Sequence, residues 1–275
     1  MTCWHFVACV LLMLFSSATA AAPSSATVTR GVTWDARHLL KADIYRPTAK
    51  GPHPGILLIH GGGWGAGARE ELEWFGQNLA SSGFVAVSID YRLIMTNAVN
   101  PRDQFSDVKS ALGAMTANAR TFDIDPARLA VLGGSAGGHL AAMLATEPGT
   151  PLRAAVILWG PTDLTIPMAQ LTPNGASIFR NYMKSAETAH ISPAGLSPLF
   201  RVTPKGCKAW LLIHGEMDEL VPVTQSRVMH KRLLLSGLES HYLELPGQQH
   251  FPRDPEMQRK AGEAILMFLH ARLGK

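Results

Sequence analysis

The sequence predicts an α/β fold, a mostly parallel sheet of eight strands with helices on both faces, and three observations carry that expectation. Short apolar runs alternate with longer stretches of helical period along most of the chain, the pattern of strands buried on both faces and joined by crossover helices. One apolar run, 129–132, passes through Gly133-Gly134-Ser135-Ala136-Gly137 straight into an Ala- and Leu-rich segment. Another, 55–59, ends in His60-Gly61-Gly62-Gly63-Trp64. With 275 residues, 47% of them hydrophobic, the chain can bury one substantial core, so a single domain over 21–275 is expected.

The first element stands apart from that domain. Residues 6–15 form an apolar run too short to span a bilayer, and Ala18-Thr19-Ala20 offers the small-x-small pattern of a signal peptidase site, so 1–20 reads as an export signal, with cleavage after Ala20 or Ala22. The segment before the run lacks Lys and Arg. Its removal takes Cys3 and Cys9 away and leaves Cys207 without an intramolecular partner; stability must then come from core packing even in an oxidising compartment, periplasmic or extracellular.

Strands are expected next at 27–34 and 39–45, then at 55–59 and 84–89, with a helix over 70–82 between the last two. A second helix is expected over 103–120. The strand at 129–132 feeds a helix at 136–145, and further strands follow at 154–159, 209–213 and 240–245, with helices at 223–235 and 255–273. Between 161 and 206 Pro, Gly, Ser, Met and Phe recur without clear period, which predicts a short cap-like insertion outside the sheet. Trp64, Trp159, Met168 and Phe179 are candidates to line a substrate pocket, although residues of these types more often belong to the core. The formal charge of +4 arises from 25 Lys and Arg scattered among 21 Asp and Glu; no basic block marks a nucleic-acid or membrane-binding face.

The stretch Gly133 to Gly137 is G-x-S-x-G between a strand and a helix. A serine held in so sharp a turn crowds the residues two before and two after it, and glycine at both places relieves the crowding. The turn also sets the hydroxyl at a helix N-terminus, where free N–H groups and the helix dipole favour a developing oxyanion. Gly61-Gly62-Gly63-Trp64-Gly65-Ala66 fits a dinucleotide-binding G-x-G-x-x-A as well, with Asp90 where such a fold places its ribose-binding acid. That oxidoreductase reading leaves the serine turn unexplained. An acyl-transfer serine, by contrast, needs a second source of N–H donors, and a glycine-rich loop after an earlier strand supplies it: Gly62, Gly63 and Ala136 are the expected oxyanion hole. His60 either orients this loop or merely closes its strand, and Asp90, within Asp90-Tyr91-Arg92, becomes a structural strand-end residue.

A serine nucleophile needs a base and an orienting acid, which in this architecture follow it in the order acid, histidine. His250, after the last strand, is the expected base; His214 ends the preceding strand and His241 lies within the last one, and both read as structural. For the acid, Asp218 lies on the loop after the seventh strand, with Glu216 and Glu219 beside it, and Asp163 after the sixth strand is its competitor. The expected triad is Ser135, Asp218 and His250. The scattered histidines show no metal-ligand spacing, and neither metal nor cofactor is expected.

Together "ILLIHGGGW", "DYRL", "DPARLAVLGGSAGGHLAA", "LLIHGEMDELVPVTQS" and "GQQHF" resemble the α/β-hydrolase esterases of the hormone-sensitive-lipase-like kind, most closely the short bacterial acetyl/feruloyl-type esterases. The resemblance runs from Leu39 to the end with the motifs in order. It implies cofactor-free hydrolysis of carboxylic esters through an acyl-enzyme, with short acyl groups or acetylated and feruloylated polysaccharides as substrates, and it supports the triad. The chain departs from the larger lipase-like members in two ways: the export signal is followed almost at once by strand in place of their long helical cap, and the insertion between Trp159 and Cys207 is short, which predicts an open site. A triad also serves amide, formamide and peptide hydrolases of the same fold, and a catalytically silent binding protein on this scaffold would be expected to lack one of the three residues.

Overall fold

A computed structural model describes residues 26–94 and 98–274. The predicted export signal, 1–20, with Cys3 and Cys9, lies outside the described residues. The eight strands are β1 (Thr27–Asp35), β2 (Leu40–Arg46), β3 (His53–Ile59), β4 (Val85–Ile89), β5 (Ile124–Gly134), β6 (Leu152–Leu158), β7 (Ala209–Gly215) and β8 (Glu239–Leu245). They form one sheet in the order β1-β2-β4-β3-β5-β6-β7-β8. Only β2 runs against the rest: it is antiparallel to both β1 and β4, and all pairs from β4 to β8 are parallel.

The helices are α1 (Glu73–Ser81), α2 (Pro101–Ala117), α3 (Ala119–Phe122), α4 (Ala136–Ala145), α5 (Pro173–Thr188), α6 (Pro198–Arg201), α7 (Thr224–Leu235) and α8 (Pro255–Leu273). Alternate residues of the central strands face opposite layers, as a strand's two-residue period requires. Ile56, Leu58, Ala130, Leu132, Val156 and Ile213 meet Phe75 and Leu79 of α1 and Ile265 and Leu269 of α8. Leu57, Ile59, Val131, Ile157 and Leu212 face Val108 and Leu112 of α2, Leu140 of α4 and Met229 and Leu233 of α7. The sheet is thus buried on both faces, which is why its strands read as continuous apolar runs. Cys207 lies buried in this core, and burial pushes its thiol up to about 12. Among the described residues no helix is long and apolar enough to cross a membrane.

Several boundaries differ from the expected ones. The helix expected over 70–82 begins as a 3-10 turn, Arg69–Leu72, before α1. The helix expected from 103 begins at Pro101, because Asn100 and Asp103 close a capping box there. It breaks at Asn118, and α3 follows. Strand β5 is longer than 129–132, since its first residues pair with His53 and Pro54 across an irregular register.

The largest correction concerns 161–206. This insertion is not aperiodic: α5 is 16 residues long, with Thr172 as N-cap and Pro173 at its start. Ala176, Phe179, Tyr182, Met183 and Ala186 are its buried face, at spacings of three, three, one and three. That stripe and the Thr-Pro start were the signals available in the sequence. Phe179, Trp64 and Trp159 are buried, as expected of core residues, and Met168 packs against the core partly exposed.

Candidate active site

Strand β3 lies between β4 and β5, so the chain winds outward from β3 in one direction to β4 and in the other to β5. Open α/β sheets bind ligands at the carboxyl ends of the strands where the winding reverses. The glycine loop after β3 and the serine turn after β5 both end there.

Ser135 has φ 55° and ψ −123°, a strained conformation for a residue with a side chain. It is held by its N–H donating to the Leu158 carbonyl at 2.9 Å and its carbonyl accepting from His139 N–H at 3.0 Å. The flanking glycines are required by close backbone approach. A Cβ on Gly133 would sit 2.3 Å from the Gly137 carbonyl oxygen, and one on Gly137 would sit 2.1 Å from that of Ile59. Ser135 is therefore presented, half-buried, at the N-terminus of α4, whose first N–H groups have no intrahelical partner.

Loops after the adjacent strands β7 and β8 bring the other groups to it. Ser135 Oγ donates to His250 Nε2 at 2.9 Å, and His250 Nδ1–H donates to Asp218 Oδ2 at 2.7 Å. Asp218 Oδ1 accepts the N–H groups of Leu220 and Val221, each at 2.9 Å. Its Oδ2 also accepts His214 Nε2–H at 3.0 Å. Burial alone would push the Asp218 carboxyl up, but the hydrogen bonds from His214 and His250 override it and hold the group well below the usual carboxylate range. Asp218 is an anion whenever His250 is called on to take a proton.

Asp163 is directed elsewhere. Its carboxylate caps Thr165, accepting from that residue's N–H at 2.8 Å and hydroxyl at 2.6 Å, while its backbone is tied to Gln225. Glu216 accepts from Gly247 N–H and Glu219 from the Gln249 side chain, so both brace the β7 loop against the β8 loop at the surface. His241 is paired with Glu239 on the exposed edge of the sheet. Asp90 accepts hydrogen bonds from Arg69, which also holds Asp43.

The glycine loop lies against the serine turn: a Cβ on Gly61 would be 3.4 Å from Ser135 Cβ. Gly62 has φ +99°, and a Cβ there would come within 2.1 Å of the Ala66 carbonyl oxygen, so only glycine permits this turn. Gly63 passes under Ile178 of α5, and Ala136 is the first residue of α4. His60 is buried, stacks on Tyr91 at 4.3 Å between ring centroids, and donates from Nδ1 to the Gly61 carbonyl at 2.9 Å. Burial pushes His60 down to about 4. Neutral and paired within the loop, it orients backbone.

Two supports escaped the sequence reading. Trp64, at the end of the loop, stacks on Tyr182 of α5 at 4.0 Å, meets Phe179 edge-on, and donates Nε1–H to His139 Nδ1 at 3.1 Å. His139 Nε2–H in turn donates to the Leu196 carbonyl at 2.7 Å, and burial pushes this imidazole down to about 4. The insertion thus clamps the glycine loop to the helix that follows Ser135. Its second support is Thr172, whose hydroxyl donates to the Glu219 carbonyl in the loop that carries Asp218.

Among the described residues Asp35, His38 and Asp107 come close enough to share a cation. Arg92 already makes two-pronged contact with the Asp107 carboxylate, and His38 and two backbone N–H groups occupy Asp35, so the cluster satisfies itself.

Residues 42–233 match the family model described as BD-FAE. The probable carboxylic ester hydrolase LipM of Mycobacterium tuberculosis (strain ATCC 25618 / H37Rv) is 32% identical over 216 residues, 73% of this chain and 49% of that protein. Esterase LipC of the same organism is 33% identical over 220 residues, 72% of this chain and 53% of that protein. The chain spans about half the length of these curated relatives. Among solved structures, a truncated form of a carbohydrate esterase from gut microbiota superposes with a TM-score of 0.80 at 23% identity, covering 93% of this chain and 99% of that one. Thermogutta terrifontis esterase 2 phosphonylated by sarin superposes with a TM-score of 0.76 at 22% identity, covering 91% and 96%. At these identities the structural likeness speaks for the fold, which is that of the α/β-hydrolases.

Proposed function

This chain belongs to the BD-FAE family, and from that premise we propose that it is a serine carboxylic-ester hydrolase working through an acyl-enzyme on short-chain acyl esters. The observation that carries this reading is the unbroken hydrogen-bonded chain from Ser135 Oγ through His250 to the buried Asp218 carboxylate. His250 Nε2 takes the hydroxyl proton as Ser135 Oγ attacks the ester carbonyl carbon, and Asp218 stabilises the imidazolium that forms. The N–H groups of Gly62, Gly63 and Ala136 receive the oxyanion. Collapse of the tetrahedral species expels the alcohol, which takes its proton from Nε2, and water repeats the sequence to release the acid and restore the serine.

Acetylated or feruloylated polysaccharides are the substrate class we assign, in keeping with the resemblance to acetyl/feruloyl-type esterases. Export, proposed from the apolar run and the Ala18-Thr19-Ala20 site, would bring the enzyme to such material. A panel of p-nitrophenyl esters together with acetylated xylan tests the reading. The expected maximum of kcat/KM lies at C2 to C4, in keeping with the resemblance to acetyl/feruloyl-type esterases, since a longer acyl tail gains only where its methylenes are enclosed, at about 0.8 kcal/mol each. A maximum at C10 or beyond would make it a lipase. Faster turnover of formamide or amide substrates than of acetate would reassign the triad to amide hydrolysis.

A further inference from the structure

His214 is a histidine that the proposed mechanism does not use, and its surroundings are unusual for a structural residue. It lies on β7 next to the end of the strand, wholly buried. A buried imidazole is costly unless both nitrogens are paired, and an apolar side chain would fill the same space without that cost. Both nitrogens are paired here, and one partner belongs to the catalytic constellation. Nε2 faces two acceptors, Asp218 Oδ2 at 3.0 Å and the Val221 carbonyl at 2.9 Å, so Nε2 carries the hydrogen. Nδ1 then accepts from Ser226 Oγ, 2.7 Å away on α7 and equally buried.

We propose that His214 is a positioning residue for the reaction, holding Asp218 Oδ2 toward His250 and keeping that oxygen anionic, with Ser226 fixing the His214 tautomer. The inference rests on the hydrolase reading given above. The Asp218 carboxylate is saturated: two backbone N–H groups on Oδ1 and two imidazole N–H groups on Oδ2. The pair on Oδ1 sets the plane of the carboxylate. The pair on Oδ2 decides how much negative charge that oxygen presents to His250. When His250 takes the Ser135 proton, a donor already on Oδ2 lowers the oxygen's own proton affinity, so the new charge stays on the imidazole and its Nε2 proton remains deliverable to the leaving alcohol. Without His214 the whole charge of Oδ2 falls on the Nδ1–H of His250, and that proton becomes more evenly shared between the two groups.

His214→Leu removes the donor at similar volume, whereas His214→Gln places an amide N–H near the position of Nε2. In the full chain, His214→Leu is expected to lower kcat roughly 10- to 100-fold with KM little changed, the rate equivalent of one hydrogen bond to a charged group. His214→Gln should recover most of that loss. The low-field proton resonance of His250 Nδ1–H, identified by its absence in His250→Ala, should move downfield in the Leu variant and stay near its wild-type position in the Gln variant. Equal losses in both variants, or none in either, would overturn the proposal in favour of simple packing. If the Leu variant does not fold, Ser226→Ala carries the test: an unchanged kcat and resonance overturn the proposal, and a lowered kcat at constant KM with a downfield shift upholds it. The resonance needs no substrate. A wild-type chain that hydrolyses no ester would therefore remove the reading on which the inference rests while the coupling of His214 to His250 is still read directly.

Discussion

The two halves of the site are held by different means. Ser135 and the glycine loop are fixed by backbone: carbonyl oxygens approach so closely that a Cβ on Gly62, Gly133 or Gly137 would fall 2.1–2.3 Å from one of them. Asp218 and His250 are fixed by side chains and loop N–H groups, in a hydrogen-bonded cluster that runs from Ser135 Oγ to Ser226 Oγ. The difference teaches where each half is vulnerable. A methyl group added to the serine half collides with backbone and is felt as stability, whereas an atom exchanged in the histidine half changes proton affinities and is felt as rate.

The largest effect expected joins the halves at their point of contact. Ser135→Ala removes the only hydroxyl that, among the described residues, is hydrogen-bonded to His250, and should lower kcat roughly 10⁶-fold, as loss of a triad nucleophile does. Alanine tolerates the backbone there no worse than serine, so the melting temperature should hold. Activity within tenfold of wild type would end the serine mechanism.

Next comes the acid. Asp218→Asn should cost on the order of 10⁴ in kcat, because an amide donor facing Nδ1 favours the wrong tautomer of His250. Asp163→Asn touches only the cap on Thr165 and leaves the backbone tie to Gln225 in place, and kcat should stay within about tenfold, the scale of a neutral surface cap. Reversed ranks with native circular-dichroism spectra would move the acid to the β6 loop and break the comparison at its base.

The serine half can be tested with acid. His60 and His139, both pushed down to about 4 by burial, lie under the glycine loop and beside the serine turn. Each stays neutral in the fold while the unfolded chain takes up protons below its ordinary value, so the stability they contribute is complete above that value and is lost as pH falls toward 4. By pH 4.5 the loss is about 2.5 kcal/mol for each histidine. Asp218 also has a lowered value, and its contribution is lost only at still lower pH, so the histidines dominate this window. Thermal melts from pH 7.5 to 4.5 should show a steep fall, and His139→Gln should remove about half of it. A flat profile would mean that these imidazoles are not buried neutral.

A smaller effect sharpens the contrast itself. Gly137→Ala drives a Cβ against the Ile59 carbonyl and should cost about 3 kcal/mol, lowering the melting temperature by roughly 6–12 °C. Unchanged stability would show that the turn relaxes and that the serine half is less rigid than the close approaches imply.

The order of motifs along the chain was enough to anticipate the sheet, the serine turn, and the three residues that the fold brings together. These are legible because they follow local rules. A strand buried on both faces must be a continuous apolar run, a sharp turn between strand and helix must have glycines two positions either side, and a loop that brings backbone close to a reacting centre must shed its side chains. The boundaries that differ at 103 and 129 have local causes as well, since the Asn100 capping box and the pairing of Ile124 with His53 lengthen a helix and a strand that the sequence predicts.

What the tertiary structure alone decided depends on partners far apart in sequence. Asp218 and Asp163 look alike in the sequence, each an acid just past a buried strand; only the closeness of the β7 and β8 loops puts Asp218 at 2.7 Å from His250 and leaves Asp163 to cap Thr165. In the sequence His214 reads as a structural strand residue and nothing sets His139 apart; their partners give each its place, the carboxylate that His214 shares with His250 and the Trp64 indole that His139 holds. Helix α5 could be found from its apolar stripe, but not that the stripe closes on Trp64 and so anchors the glycine loop. Local sequence sets which backbone shapes a segment can take, because sterics act between neighbours. A hydrogen bond between side chains dozens of residues apart exists only once the whole sheet has assembled and excluded the water that would otherwise compete for it.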